Sequence, residues 1–246
     1  MGIRWLILPD IHDKVRQASR IIEREPHDRL LLMGDYFDSF QTGVTDAADT
    51  AIAVKEWLNM PGTTCLLGNH DVSYGWGRLN PRLLCPGYDP AKWIVINRAI
   101  RANDWLKFRL HAWLDGGERP WLVTHAGLHP VFVQNVIPDR YREVIDNLCD
   151  VAREQLNLGE EHPLLARGTG ISGDDSPRGL DWLYWAELAP IPGLNQLTAH
   201  TQAASVRCKE TTLSRNLCLD TNLRYYAVFQ NGELETKRYD DLIARK

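Results

Sequence analysis

Short apolar runs in this chain keep ending on the same kinds of polar residue. Ile3 to Leu8 stops at Pro9-Asp10-Ile11-His12-Asp13, and Asp28 to Met33 stops at Gly34-Asp35-Tyr36-Phe37-Asp38. Thr64 to Leu67 stops at Gly68-Asn69-His70-Asp71. Trp121 to Thr124 runs into His125-Ala126-Gly127-Leu128-His129, and Asn195 to Thr198 into Ala199-His200-Thr201. Apolar runs of this length read as buried strands. Val15, Ala18 and Ile22 then recur at helical spacing, as do Ala51, Val54 and Leu58 within a second helix over 45–59 that Pro61-Gly62 ends. Strand, polar turn and helix in succession predict an α/β fold, with a mainly parallel sheet and helices outside. Ligands of such sheets bind beyond the carboxyl ends of the strands.

The chain has 246 residues, with 44% hydrophobic and 24% charged residues, enough to bury a sizeable core in one domain over 1–246. A net charge of −4 disfavours non-specific nucleic-acid binding. No apolar run is long enough to span a membrane. The five cysteines (65, 85, 149, 208 and 218) form no CxxC pair, which suits reduced thiols and a cytoplasmic setting.

The rhythm breaks between about 73 and 119, a stretch rich in Gly, Pro and Trp. It reads as a capping insertion, part irregular and part helical. Its tryptophans serve either the insertion's own core or, for Trp76 close behind Asp71, a substrate. Beyond it, Tyr141, Val144, Ile145, Leu148, Val151, Ala152 and Leu156 outline the buried stripe of a long helix. The Gly- and Ser-rich run from Arg167 to Arg178 reads as a mobile loop, and Leu180 to Leu188 as a short aromatic helix. The tail reads as strands near 204–208, 216–219, 224–230 and 233–238, the last two joined by an Asn231-Gly232 hairpin turn.

Collected from the strand ends, Asp10, His12, Asp35, Asp38, Asn69, His70, His125 and His200 supply carboxylate, imidazole and amide donors without a thiolate. That set suits hard-to-borderline divalent cations. Two such ions bridged by a carboxylate, about 3.5–4 Å apart, can activate water and clamp a phosphoryl group. Gly68 is expected to free the backbone for a sharp turn, Asp13 to cap the helix after it, and Asp71 to support its turn. His27, His111 and His162 read as ordinary surface or packing residues.

The chain resembles the calcineurin-like metallophosphoesterases, particularly the branch of phosphoprotein phosphatases and diadenosine-tetraphosphate hydrolases. The signature there is D-x-H, G-D-x-x-D, G-N-H-D/E, H-G/A-G and a late G-H, matched by Asp10-Ile11-His12, Gly34 to Asp38, Gly68 to Asp71, His125-Ala126-Gly127 and Ala199-His200. The resemblance implies a four-layer αββα sandwich of two mixed β-sheets flanked by helices. It implies a phosphomonoesterase holding two divalent ions, manganese first, with iron, zinc, nickel or magnesium as alternatives. Asp10 and His12 would bind one metal, Asp35 both, and Asn69, His125 and His200 the other. His70 would be the general acid, oriented by Asp38, while a metal-bound hydroxide attacks. The branch's phosphate-clamping Arg is replaced by Ser39, its late Gly by Ala199, and no second His follows Thr201. Arg78, Arg167 or Arg178 could supply the clamp from loops, and Trp76 and His129 could line the pocket. The substrate is then a phosphorylated small molecule, nucleotide or protein. Alternative readings are a phosphodiesterase, a dinucleoside-polyphosphate hydrolase and a non-catalytic scaffold.

Overall fold

The computed structural model describes residues 2–168 and 177–244. The centre of the Gly/Ser-rich run expected as a mobile loop, 169–176, lies outside the described residues. From the N-terminus the chain forms β1 (Trp5–Leu8), α1 (Val15–Arg24), β2 (Arg29–Leu32), α2 (Val44–Asn59) and β3 (Thr63–Cys65). Next come α3 (Asn69–Trp76), α4 (Pro90–Ala99), α5 (Ala102–Trp105), β4 (His111–Leu114), β5 (Trp121–Thr124) and α6 (Tyr141–Asn157). The C-terminal part contributes β6 (Asn195–Thr198), β7 (Arg207–Glu210), β8 (Arg215–Cys218), β9 (Tyr225–Gln230), β10 (Glu233–Arg238) and α7 (Tyr239–Ala244).

Two mixed five-stranded sheets result, ordered β10-β9-β1-β2-β3 and β4-β5-β6-β8-β7. Each contains three parallel strands: β1, β2 and β3, joined on one side by the antiparallel hairpin β9-β10, and β5, β6 and β8, flanked by antiparallel β4 and β7. Side chains alternate across a strand. Ile7, Leu31 and Met33 therefore meet Trp121, Val123, Leu197 and Leu217 in a core between the sheets. Leu6, Leu8, Leu30 and Leu32 face the other way, against Ala18 and Ile21 of α1 and Ala47, Ala51 and Val54 of α2. Each such fully buried aliphatic side chain contributes roughly 1.5–3 kcal/mol of transfer free energy.

Register places the site. Leu8 pairs with Leu32 and Leu32 with Cys65, so three parallel strands end level with one another. Val123 pairs with Leu197 and Thr198 with Cys218, which levels the parallel strands of the second sheet. The turns carrying Asp10, Asp35 and Asn69 thus leave one sheet edge, and those carrying His125 and His200 leave the edge packed against it.

Several local expectations are corrected. The 180–188 segment is two turns rather than a helix: Leu183 N–H bonds Gly179 O and Leu188 N–H bonds Tyr184 O, but Trp185 N–H turns to Thr201 Oγ1. Within 73–119, the last part is β4, paired antiparallel with β5 as an edge of the second sheet. Asp13 does not cap α1, whose N-cap is Lys14. It accepts instead from Ser39 N–H, Thr42 Oγ1 and Thr50 Oγ1, tying the loop after β2 to α2. On α6, Val151 is exposed and Cys149 takes its place in the buried stripe. The Asn231-Gly232 turn forms as expected, with φ of 53° and 85°.

Candidate metal centre

The polar turns converge because the backbone there is held in unusual conformations. His12, Asp35, Asp38 and His200 all have positive φ (42°, 48°, 66° and 66°), a region non-glycine residues rarely adopt. Such strain persists only where surrounding contacts over-determine it. Asp71 is one such contact: it accepts Asp35 N–H at 2.7 Å, Tyr36 N–H at 3.1 Å and Gly68 N–H at 2.8 Å. One buried carboxylate therefore buckles the turn after β2 to the start of α3. Burial and the neighbouring Asp35 push its pKa up to about 7, against the three N–H donors, which favour its ionised form.

Gly68 does not turn the chain sharply; its backbone is extended. Its value is the missing side chain, since a Cβ would meet Asp35 Oδ1 at 2.1 Å and Asp35 N at 2.6 Å. Gly34, at φ +98°, faces it from the other turn, with Gly68 N 2.4 Å from where its own Cβ would stand.

Two histidines are oriented alike. His12 Nδ1 lies 2.8 Å from Phe37 O, and His125 Nδ1 lies 2.9 Å from Met33 O. A carbonyl only accepts, so Nδ1 carries the hydrogen and Nε2 is left as the donor atom for a cation. His125 Nε2 is 3.3 Å from both Asp35 Oδ2 and Asn69 Oδ1, and His12 Nε2 is 3.8 Å from Asp10 Oδ2 and Asp35 Oδ2. The His200 backbone N–H donates to Asp10 Oδ1 at 3.2 Å, while its ring Nε2 is buried without a hydrogen-bond partner among the described residues, as is Asp10 Oδ2. Asp10, His12 and Asp35 form one group with ligand atoms within 4.8 Å of one another; Asp35, His125 and His200 form another. Asp35 belongs to both.

The electrostatics ask for cations. Burial raises the Asp10 pKa, reinforced by Asp220. Burial opposes ionisation of Asp35 too, but His125 and the other imidazoles hold its pKa well below the carboxylate range. Burial disfavours charge on His125, yet Asp35 and Asp10 lift it to about 10. His200 is pushed down to about 3 by burial and by His125, so its ring is neutral and one ring nitrogen carries a lone pair. Clustered buried carboxylates and imidazole nitrogens with hydrogen-bonding capacity left over are costly to bury, and these donors fit divalent ions.

His70 and Asp38 stand beside these groups. His70 N–H donates to Asp35 Oδ1 at 3.1 Å, and its Nδ1 is 2.9 Å from Asp38 Oδ2. Tyr74 OH donates to the other oxygen, Asp38 Oδ1, at 2.6 Å. Burial favours the neutral His70 ring, but Asp35, Asp38 and Cys85 outweigh it and raise the pKa well above the ordinary value.

The remaining candidates are dispersed. Trp76 is buried against Trp105 and under the Arg153 guanidinium, away from the strand ends. Arg78 is exposed and lies over Trp93. His129 caps a short turn, its Nδ1 accepting from Val131 N–H. Arg178 stacks on Tyr184, pairs with Glu187 at 3.1 Å and donates to Arg167 O. Tyr184 in turn stacks on His200 with ring centroids 5.7 Å apart, which brings Arg178 towards the centre.

Two buried carboxylates near the centre were missed in the sequence. Asp220 follows β8 as the other acids follow their strands, the same signal in the C-terminal meander. Asp181 has both oxygens buried without a partner among the described residues, and burial lifts its pKa to about 8. No comparable signal precedes it.

The fold and this donor set define a metal-dependent α/β hydrolase of phosphate esters. The sequence matches the family of calcineurin-like phosphoesterases over residues 3–206, and the chain belongs to that family. A cold-active protein-tyrosine phosphatase of the psychrophile Shewanella sp. has a similar fold, with a TM-score of 0.63, 13% identity, and 98% of this chain and 79% of that one covered. A hypothetical protein from Pyrococcus horikoshii OT3 shares the fold at a TM-score of 0.52 and 10% identity, covering 98% and 92% respectively. No curated protein matches this chain. No helix among the described residues is long and apolar enough to cross a membrane.

Proposed function

We propose that the protein is a binuclear phosphomonoesterase. The observation that carries this reading is the pair of donor groups sharing Asp35, each with a buried atom, Asp10 Oδ2 or His200 Nε2, that lacks a hydrogen-bond partner among the described residues. Asp10, His12 and Asp35 would hold one ion; Asp35, Asn69, His125 and His200 would hold the second. Bound there, the ions supply Lewis acidity towards the phosphoryl oxygens and lower the pKa of the attacking water. Manganese is the first ion to test.

The protein's own part is orientation and proton transfer. His12 and His125 are locked by backbone carbonyls so that Nε2 faces inward. His70, held protonated by Asp38, delivers a proton to the departing oxygen as the P–O bond breaks. With Ser39 where a phosphate-binding Arg is expected, Arg167 takes that role. Its guanidinium lies over Trp182, 4.7 Å from the ring centroid, and Trp182 meets His200 edge-on. Its Nε and Nη2 are buried without a hydrogen-bond partner among the described residues, beside a cavity of about 670 Å³ lined also by Val72, Leu83 and Trp182. Two open guanidinium donors suit a bidentate oxyanion.

The same aromatic wall supports a second reading, in which a nucleobase stacks there and the substrate is a diester or dinucleoside polyphosphate. A panel with manganese separates the two: an aryl phosphate, a bis-aryl phosphate, a dinucleoside polyphosphate and a phosphotyrosine peptide. The monoesterase reading expects the aryl phosphate to turn over faster than the bis-aryl phosphate; the reverse order overturns it. The peptide arm addresses the activity named for the Shewanella neighbour. Cytoplasmic placement accords with buried free thiols at Cys65, Cys85, Cys149 and Cys218.

A further inference from the structure

Cys85 sits against the proton-transfer pair. Its Sγ is 3.3 Å from His70 Nδ1, which is itself 2.9 Å from Asp38 Oδ2. Ligand atoms of the three residues all lie within 4.8 Å of one another, and all three residues are buried. Tetrahedral zinc, with bonds of about 2.0–2.3 Å to oxygen, nitrogen and sulfur, needs donor separations of roughly 3.3–3.6 Å. The sulfur–nitrogen and nitrogen–oxygen separations, 3.3 Å and 2.9 Å, come within a few tenths of an ångström of it.

The surroundings hold these donors in place. Tyr74 OH and Lys92 Nζ occupy Asp38 Oδ1, leaving Oδ2 turned towards His70. Cys85 N–H bonds Ser73 Oγ at 3.1 Å, which anchors the thiol's backbone to α3. Gly87, at φ +99°, passes beside the group; a Cβ there would sit 3.6 Å from Asp38 Oδ2 and from His70 Cε1.

We infer that Asp38, His70 and Cys85 form a separate, inhibitory site for a thiophilic divalent cation such as zinc. The metal centre offers only oxygen and nitrogen donors, whereas this cluster adds a thiolate, which selects zinc or cadmium over manganese and magnesium. On binding, the Cys85 thiol and His70 Nδ1 each release a proton to solvent, leaving a thiolate and a free Nδ1 lone pair while His70 Nε2 keeps its hydrogen; nothing is oxidised or reduced. The captured imidazole can no longer be positioned by Asp38 or carry the proton for the leaving group. The inhibitory consequence rests on His70 being the acid; the site itself does not.

Cobalt(II) is a spectroscopic probe for the ligand set. Titrated into the intact protein, it should give a thiolate-to-metal charge-transfer band in the near ultraviolet that is lost in Cys85→Ser and kept in Cys208→Ser. Zinc should inhibit the manganese enzyme, and Cys85→Ser should raise the inhibitory zinc concentration by at least about 100-fold, since losing a ligand costs no less than the 10–100-fold of losing an outer-shell partner. Absence of the band in the wild-type protein, or its survival in Cys85→Ser, overturns the site. A Cys85-dependent band with undiminished turnover confirms the site and overturns the assignment of His70 as acid.

Discussion

His70 Nδ1 lies 2.9 Å from Asp38 Oδ2, although thirty-two positions separate them in the chain. With the charge of Asp35, the contact raises the imidazole's pKa well above its ordinary value. His70→Asn should lower kcat by roughly 10²–10⁴-fold, the range for a lost general acid, with metal content unchanged. Metal analysis beside steady-state kinetics checks this; loss of metal would make His70 a ligand instead.

Asp71 touches no metal-ligand group through its side chain except the backbone of Asp35, yet it closes three N–H bonds. Asp71→Asn places an amide against those donors and should destabilise the fold by roughly 2–3 kcal/mol. Denaturant unfolding of the metal-free protein reads that loss without interference from bound ions.

Gly68→Ala should abolish metal binding with the sheets intact. The added Cβ would lie 2.6 Å from Asp35 N, a backbone atom that cannot step aside. Circular dichroism close to wild type, with metal content lost, is the expected pair of results.

Away from the centre, Glu25 is buried with Arg4 at 2.8 Å, Lys237 at 2.9 Å and Tyr226 OH at 2.8 Å. Burial opposes its ionisation, but these partners prevail and hold its pKa at about 2. Unfolded, it titrates near 4.3. The stabilisation is therefore fully present above about pH 5 and is lost as the pH falls towards 2. Glu25→Gln should be less stable at pH 7 by on the order of 2–3 kcal/mol, with the difference shrinking below about pH 4 and nearly gone below pH 2. A pH series of thermal melts measures it.

The strand ends were legible because a short apolar run followed by Asp, His or Asn is a local pattern, and level parallel strands then bring the turns together. What stayed hidden depends on tertiary contacts. Positive φ at Asp35, Asp38 and His200 is enforced by distant hydrogen bonds and leaves no mark on residue type. Trp76 follows α3 into the core, although sequence distance alone brings it close to the site. Cys85 lies fifteen residues from His70 in an irregular stretch, and only the fold of that stretch places its sulfur on the imidazole. Asp181 leaves a turn that aromatic composition disguises as a helix.

The central claim is a two-ion centre around Asp35. Equilibrium titration of metal-free protein with manganese, read by elemental analysis, should find about two ions per chain. His125→Ala should reduce this to about one and remove most phosphatase activity. Protein that binds no manganese, or a His125→Ala variant with unchanged stoichiometry and turnover, would contradict the account.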